Sequence, residues 1–131
     1  METNEIISPY FENGVFAGVC VTLGDEDFVI APKDYNDGKV MTWHYAMYVL
    51  EENSLETFNR KQSRLIAANH KEIDKILVQN GGDAFKQDSH YWTCEELQYF
   101  DAYDYFAPGV VDISAKALTF RVRLIKNLKK L

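Results

Sequence analysis

Carboxylates are the one reactive group that this sequence holds in number, with 20 Asp and Glu against 3 His and 2 Cys. Catalysis needs a nucleophile beside a base, or acidic groups converging in a cleft. His90 and Cys94 are the closest Cys/His pair, but four residues along a strand span about 13 Å, beyond the reach of a hydrogen bond. Cys94 reads instead as a core residue beside aromatics, because unpaired Cys is among the most buried types. His70 and Asp74 stand at i, i+4, as two ligands on one helix face would, yet no third ligand follows at a diagnostic spacing. The segment Asp34-Tyr-Asn-Asp-Gly38 resembles a calcium loop only superficially. Its glycine falls fifth rather than sixth, and Tyr45 stands where a bidentate Glu belongs, so it reads as a turn. Gly81-Gly82 neither follows a strand nor opens a helix, which makes it a helix stop and not a phosphate loop. No catalytic residue, metal site or cofactor is expected.

Recognition is the chemistry that remains. Aromatics make up 14% of the chain, and they concentrate between Phe85 and Phe120, a density that suits strand cores and contact surfaces. Tyr99, Tyr103 and Tyr105 alternate with Asp101 and Asp104, and Glu95-Glu96 follows Trp92 closely. Exposed Tyr gives large contact area with few rotors to freeze, so these seven residues, Tyr99, Asp101, Tyr103, Asp104, Tyr105, Glu95 and Glu96, are the candidate set for a binding or glycosidase-like surface, beside the plainer reading of ordinarily solvated loop and strand positions. Trp43, Trp92, Cys94, Phe120 and Val122 are the candidate core.

The elements that must position them follow from periodicity. A β-branched and small-residue run from Gly14 to Thr22, the acidic turn Gly24-Asp-Glu-Asp27 and a second run, Phe28-Val-Ile-Ala31, form a hairpin signal. Pro32 ends it. Thr42 caps a helix whose apolar face is Trp43, Ala46, Met47 and Leu50, ending near Asn53. Asn59 with Gln62 begins a second helix, which buries Leu65 and Ile66. Asn69 with Glu72 repeats that spacing, predicting a fresh cap and a bend before a helix through Ile73, Ile76 and Leu77 to the Gly81-Gly82 stop. The period then becomes two, predicting strands at His90–Glu95, Asp101–Phe106, Val110–Ser114 and Leu118–Ile125. In the last, Phe120, Val122 and Leu124 alternate against Arg121 and Arg123. The order is an N-terminal hairpin, two to three helices and a C-terminal antiparallel sheet: an α+β fold. One domain over 1–131 is expected, with 1–12 and 126–131 as flanking tails.

Charge and composition bound the partners. With 14 basic against 20 acidic residues the net charge is -6, which repels phosphate backbones, so nucleic acid is excluded as a default partner. No apolar run approaches the roughly 20 residues of a membrane span. Met1 to Ser8 lacks the basic and apolar stretches of a secretory signal. The expected setting is the cytoplasm or an assembled virion, with Cys20 and Cys94 reduced and buried.

Tyr91-Trp92-Thr93-Cys94-Glu95 resembles the Tyr-Trp-Ser-Ser-(x)-Glu signature of a bacterial and phage C-type lectin-like family, similar in fold to the variable proteins of diversity-generating retroelements. Ala102-Tyr103 lies where that family has Ala-Trp, Gly109 falls in its strand-connecting turn, and Phe120-Arg-Val-Arg123 resembles its closing Tyr-Arg-Val-Arg. Met41-Thr-Trp43 with Ala46 looks like its first-helix start, and Lys71 to Lys75 before Gly81-Gly82 looks like its second helix. Thr57-Phe58-Asn59 replaces its Leu-Pro-Thr, and Cys94 replaces its second Ser. Neither Glu-Pro-Asn nor Gln-Pro-Asp nor Trp-Asn-Asp occurs, so calcium-dependent sugar binding is not carried over.

The resemblance implies a C-type lectin-like scaffold that presents loops for recognition and performs no chemistry. The expected function is a non-enzymatic interaction or structural module, of the kind found in phage virions and mobile elements, binding a protein partner or a second copy of itself. A calcium-independent carbohydrate-binding module is the alternative, and a small enzyme ranks last. A sugar binder should expose two or more of Trp92, Tyr99, Tyr103 and Tyr105 on one concave surface; an enzyme should bring carboxylates together in a pocket; a structural module should show a flat apolar patch.

Overall fold

The computed structural model describes residues 6–128. The predicted hairpin forms as β2 (Val15–Leu23) and β3 (Glu26–Ile30), but a strand that sequence reading places in a tail, β1 (Ile6–Glu12), pairs along β2. The rest of that tail, and 129–131 of the C-terminal one, lie outside the described residues. β1 was hidden by Pro9 and by polar residues, which an edge strand tolerates because one side makes no ladder bonds. Further along are α1 (Trp43–Glu52), β4 (Glu56–Thr57), α2 (Arg60–Ala68) and α3 (His70–Gln79), then β5 (His90–Glu96), β6 (Asp101–Phe106), β7 (Val110–Ala115) and β8 (Leu124–Asn127). Five strands form an antiparallel sheet in the order β1-β2-β3-β8-β4, and β5-β6-β7 form a second. The chain is α+β, with three helices and eight strands among the described residues.

The helices start and stop where capping chemistry dictates. Thr42 Oγ1 accepts from the Tyr45 amide at 3.4 Å, and α1 buries Trp43, Ala46 and Leu50. Asn59 and Gln62 close a reciprocal capping box on α2, with both bonds at 2.8–3.0 Å. The second box fails. Asn69 gives its side chain to the α2 carbonyl of Leu65 at 2.9 Å, so it closes α2 rather than opening α3. α3 ends in a Schellman pair, with the Gly82 amide on Leu77 O at 2.8 Å and Gly81 at φ +87.

Two apolar clusters share β5 as their divider. Tyr91 points into one, with Phe28, Phe58, Phe85 and Tyr105, between the larger sheet and helices α2 and α3; Trp92 points into the other, with Met41, Trp43, Leu50 and Val122 under α1. Both faces of β5 are therefore buried, which is why Tyr91, Trp92 and Thr93 are all fully enclosed. Phe120 packs against the second cluster. Cys94 departs from the expected core. It is exposed, because pairing between β5 and β6 shifts register between Trp92 and Glu96 and turns the residue outward. Both cysteines are thiols, and Cys20 is only half-buried.

The predicted closing strand is also shorter than its pattern. Phe120 and Arg121 make single bridges to Met41 and Tyr91, and regular pairing resumes only at β8. Arg123, which alternation places on the solvent side, is wholly buried. Its Nε donates to Asp34 Oδ1 at 2.9 Å, its Nη1 to the carbonyls of Ala31 and Asp83, and its Nη2 to Ala84 O. The guanidinium also lies 4.5 Å from the centre of the Phe85 ring. Arg121 and the Tyr91 hydroxyl take the other Asp34 oxygen at 2.9 and 3.0 Å. The turn from Asp34 to Gly38, which resembles a calcium loop only superficially, is thus the anchor of a buried ion pair.

Candidate functional site

The predicted binding set splits along the pleat of β6, the middle strand of the smaller sheet. Tyr105 is fully buried, and its hydroxyl accepts from the Gly109 amide at 3.0 Å. Tyr103 is 8% exposed, beneath the Arg60 guanidinium at 4.4 Å. Asp104 is completely enclosed, 2.6 Å from His90 Nδ1. These three are corrections to the expected surface, and the reason is topological. A strand with neighbours on both edges and packing on both faces has no solvent side for Tyr or Asp to occupy.

Glu95 and Glu96 are exposed but engaged. Glu95 Oε1 accepts from the Arg60 amide at 3.0 Å, so it caps the start of α2. Glu96 is paired with Lys116, whose hydrogen bond and charge hold the carboxyl below the usual glutamate range. Lys116 is nearly enclosed, with its ammonium 4.4 Å from the centre of the Trp43 ring. Trp43 in turn donates its indole N–H to Thr93 O at 2.9 Å. The β7–β8 turn is thereby fastened to α1 and β5.

Tyr99 alone of the seven stands fully in solvent, 79% exposed, and beside it is Phe100, 72% exposed, which sequence reading passed over. The rings meet edge to face, with centroids 4.8 Å apart. The loop under them is held firmly. The Leu97 amide donates to Asp101 O at 2.9 Å, the Gln98 side-chain amide to Asp101 Oδ2 at 2.5 Å, and the Lys116 amide to Phe100 O at 2.8 Å. With the N-cap Thr42, His44 of α1 and the turn at 115–117, Tyr99 and Phe100 line an open, mainly apolar cleft of about 420 Å³. The signal that could have found it was the four-residue gap between two strands, Leu97-Gln-Tyr-Phe100, a hairpin tip carrying apolar side chains.

Potential ligands for a cation lie elsewhere, at the far end of the same sheet, where His90, Asp104 and Asp112 meet. No spacing along the chain marks this group, because its members sit on three different strands. No family model and no curated protein matches the chain. Among the described residues no helix is long and apolar enough to cross a membrane.

Proposed function

We propose that the chain is a non-enzymatic recognition module of C-type lectin-like build, which engages a protein partner through the Tyr99–Phe100 tip and the cleft behind it. The observation that carries this reading is the combination of two large exposed rings with a loop whose backbone is already fixed. Exposed aromatics on a preorganised loop lose little entropy on binding and are enriched among interface hot spots. Protein is favoured over carbohydrate because Trp92, Tyr103 and Tyr105 are withdrawn from the surface, and because the two rings stand at 83° to each other and so offer no common stacking plane. The family resemblance favours a virion or mobile element as the setting.

The test uses Tyr99→Ala/Phe100→Ala. Proteins enriched on the wild-type chain over a blank support are purified and titrated against both forms. The reading expects at least a 30-fold loss of affinity, the equivalent of one strong hot spot, with an unchanged denaturant midpoint. A partner that binds both forms equally, or a glycan array signal that survives the double substitution, refutes it.

A further inference from the structure

β5, β6 and β7 each contribute one polar side chain to the same face of the smaller sheet. Asp104 and Asp112 are direct cross-strand partners, and His90 sits diagonally from Asp104 across the other pair. One ligand atom from each of the three lies within 4.8 Å of the others. Two carboxylates directly opposite each other repel, and the imidazole is the only basic side chain among the described residues within ion-pairing distance of either. A second observation is independent of this clustering. Asp104 Oδ1 is sealed from solvent and has no hydrogen-bond partner, although the Ser114 hydroxyl on the paired strand faces the same carboxyl. A buried carboxylate oxygen left bare costs free energy that a bound cation removes.

The geometry points to a binding site for a divalent first-row transition ion, Mn²⁺ or Zn²⁺, held by His90 Nδ1, Asp104 and Asp112 at the His90 end of the smaller sheet. One imidazole nitrogen with two carboxylate oxygens suits those ions, and the nitrogen disfavours Ca²⁺ and Mg²⁺, which take oxygen ligands. Ligand atoms around an ion at about 2.1 Å lie roughly 3 to 3.4 Å apart, so separations of up to 4.8 Å must close by about 1.8 Å at most, while His90 Nδ1 and Asp104 Oδ2, now 2.6 Å apart, must open by roughly 0.4 to 0.8 Å. The exposed Asp112 can supply the closing movement. The surroundings already aim the ligands. The His90 ring is stacked between Phe106 and Phe120, with centroids 4.4 and 4.5 Å away. The Ile113 amide donates to Asp112 Oδ1 at 2.8 Å and leaves the other oxygen for the ion. Coordination replaces the hydrogen bond between His90 Nδ1 and Asp104 Oδ2, and Asp104 takes the ion through both oxygens, so that the bare Oδ1 is satisfied as well. The proton shared there goes to solvent, and the nitrogen lone pair goes to the metal. Asp112 and half-buried His90 leave one side open, so water completes the shell.

The experiment is calorimetric titration of the full chain, stripped with chelator, with MnCl₂ and with ZnCl₂. CaCl₂ serves as the contrast, and circular dichroism checks the fold. The expected result is saturable 1:1 binding of Mn²⁺ or Zn²⁺ that weakens at least 30-fold in both Asp112→Asn and His90→Gln, with CaCl₂ bound at least tenfold more weakly than the better ion. Asp112→Asn keeps the bond from Ile113 and lies on the surface, so it tests the site even if His90→Gln disturbs packing. Failure of both ions to bind 1:1, an affinity in Asp112→Asn within threefold of the parent, or equal binding of Ca²⁺ overturns the assignment.

Discussion

Arg123→Met removes the guanidinium at the centre of the buried hub while keeping most of the side chain's volume. Three backbone carbonyls, those of Ala31, Asp83 and Ala84, lose their donor, and Asp34 keeps only Arg121 and Tyr91. Breaking one partner of a buried pair costs about 3–5 kcal/mol, because the surviving charge is left poorly compensated. The hydrogen bonds to carbonyls belong to the same event, so they are not added again. For a domain of this size about 4 kcal/mol is a third or more of the total stability, which corresponds to roughly 10–15 °C in melting temperature. Arg123→Lys keeps the charge but not the fork, and should recover less than half of the loss. Arg121→Met is the control. Arg121 is half-buried and makes one bond to Asp34, so about 1 kcal/mol is expected. Urea melts of these variants, with Asp34→Asn and the Asp34→Asn/Arg123→Met double, give the coupling directly. A loss below about 1 kcal/mol for Arg123→Met, or additivity in the cycle, would show that the hub does not hold the turn to the core.

Further expectations concern titration, packing and reactivity. Burial pushes the hydroxyls of Tyr91 and Tyr105 up to about 12, so the folded state holds both protons across the range where an unfolded chain releases them. Their contribution is complete below pH 10 and is lost as the pH climbs from 10 through 12. Absorbance at the tyrosinate band should show two of the 8 tyrosines ionising only with unfolding, and early ionisation of all eight would refute it. Gly18→Ala should destabilise by several kcal/mol in denaturant melts, since Gly18 lies at φ +139 and an added Cβ would come 2.1 Å from Ile30 O. Trp92→Ala should cost about 3–5 kcal/mol in the same assay, because the side chain is fully enclosed and its N–H bonds to Met41 O. The Cys94 thiol, raised by desolvation and by Glu95 and Glu56, should react with a disulfide reagent more slowly at neutral pH than an unperturbed thiol, despite its exposure.

Local chemistry made much of this fold readable. The caps at Thr42 and Asn59, the stop at Gly81 and the β2–β3 turn are set by neighbours within four residues, and all are found where side-chain and glycine chemistry puts them. What sequence could not reveal was long-range. Arg123 looks solvent-facing by alternation until Asp34, 89 positions away, arrives to neutralise it. Tyr103 and Asp104 look like surface residues until β5 and β7 flank them on both edges. Asn69 has the spacing of an N-cap, but the α2 carbonyl of Leu65 competes for the same side chain and wins. The candidate surface was legible at Tyr99, Glu95 and Glu96 and not at Tyr103, Asp104 and Tyr105, because exposure around a hairpin tip is a local property whereas burial of a strand depends on its partners.

The strand order of the larger sheet also dictates when it can be finished. β8 sits between β3 and β4, and Ile125 pairs with both Ile30 and Glu56. During synthesis, β1 to β3 can assemble as soon as they emerge, but the edge of β3 has no neighbour until almost a hundred further residues have been added. Until then the nascent chain carries an open strand edge beside Phe28 and Ile30, two residues that are fully buried at the end. A ribosome stalled short of Leu124 would display that edge to the cell, making holdase chaperones the expected companions of the unfinished protein.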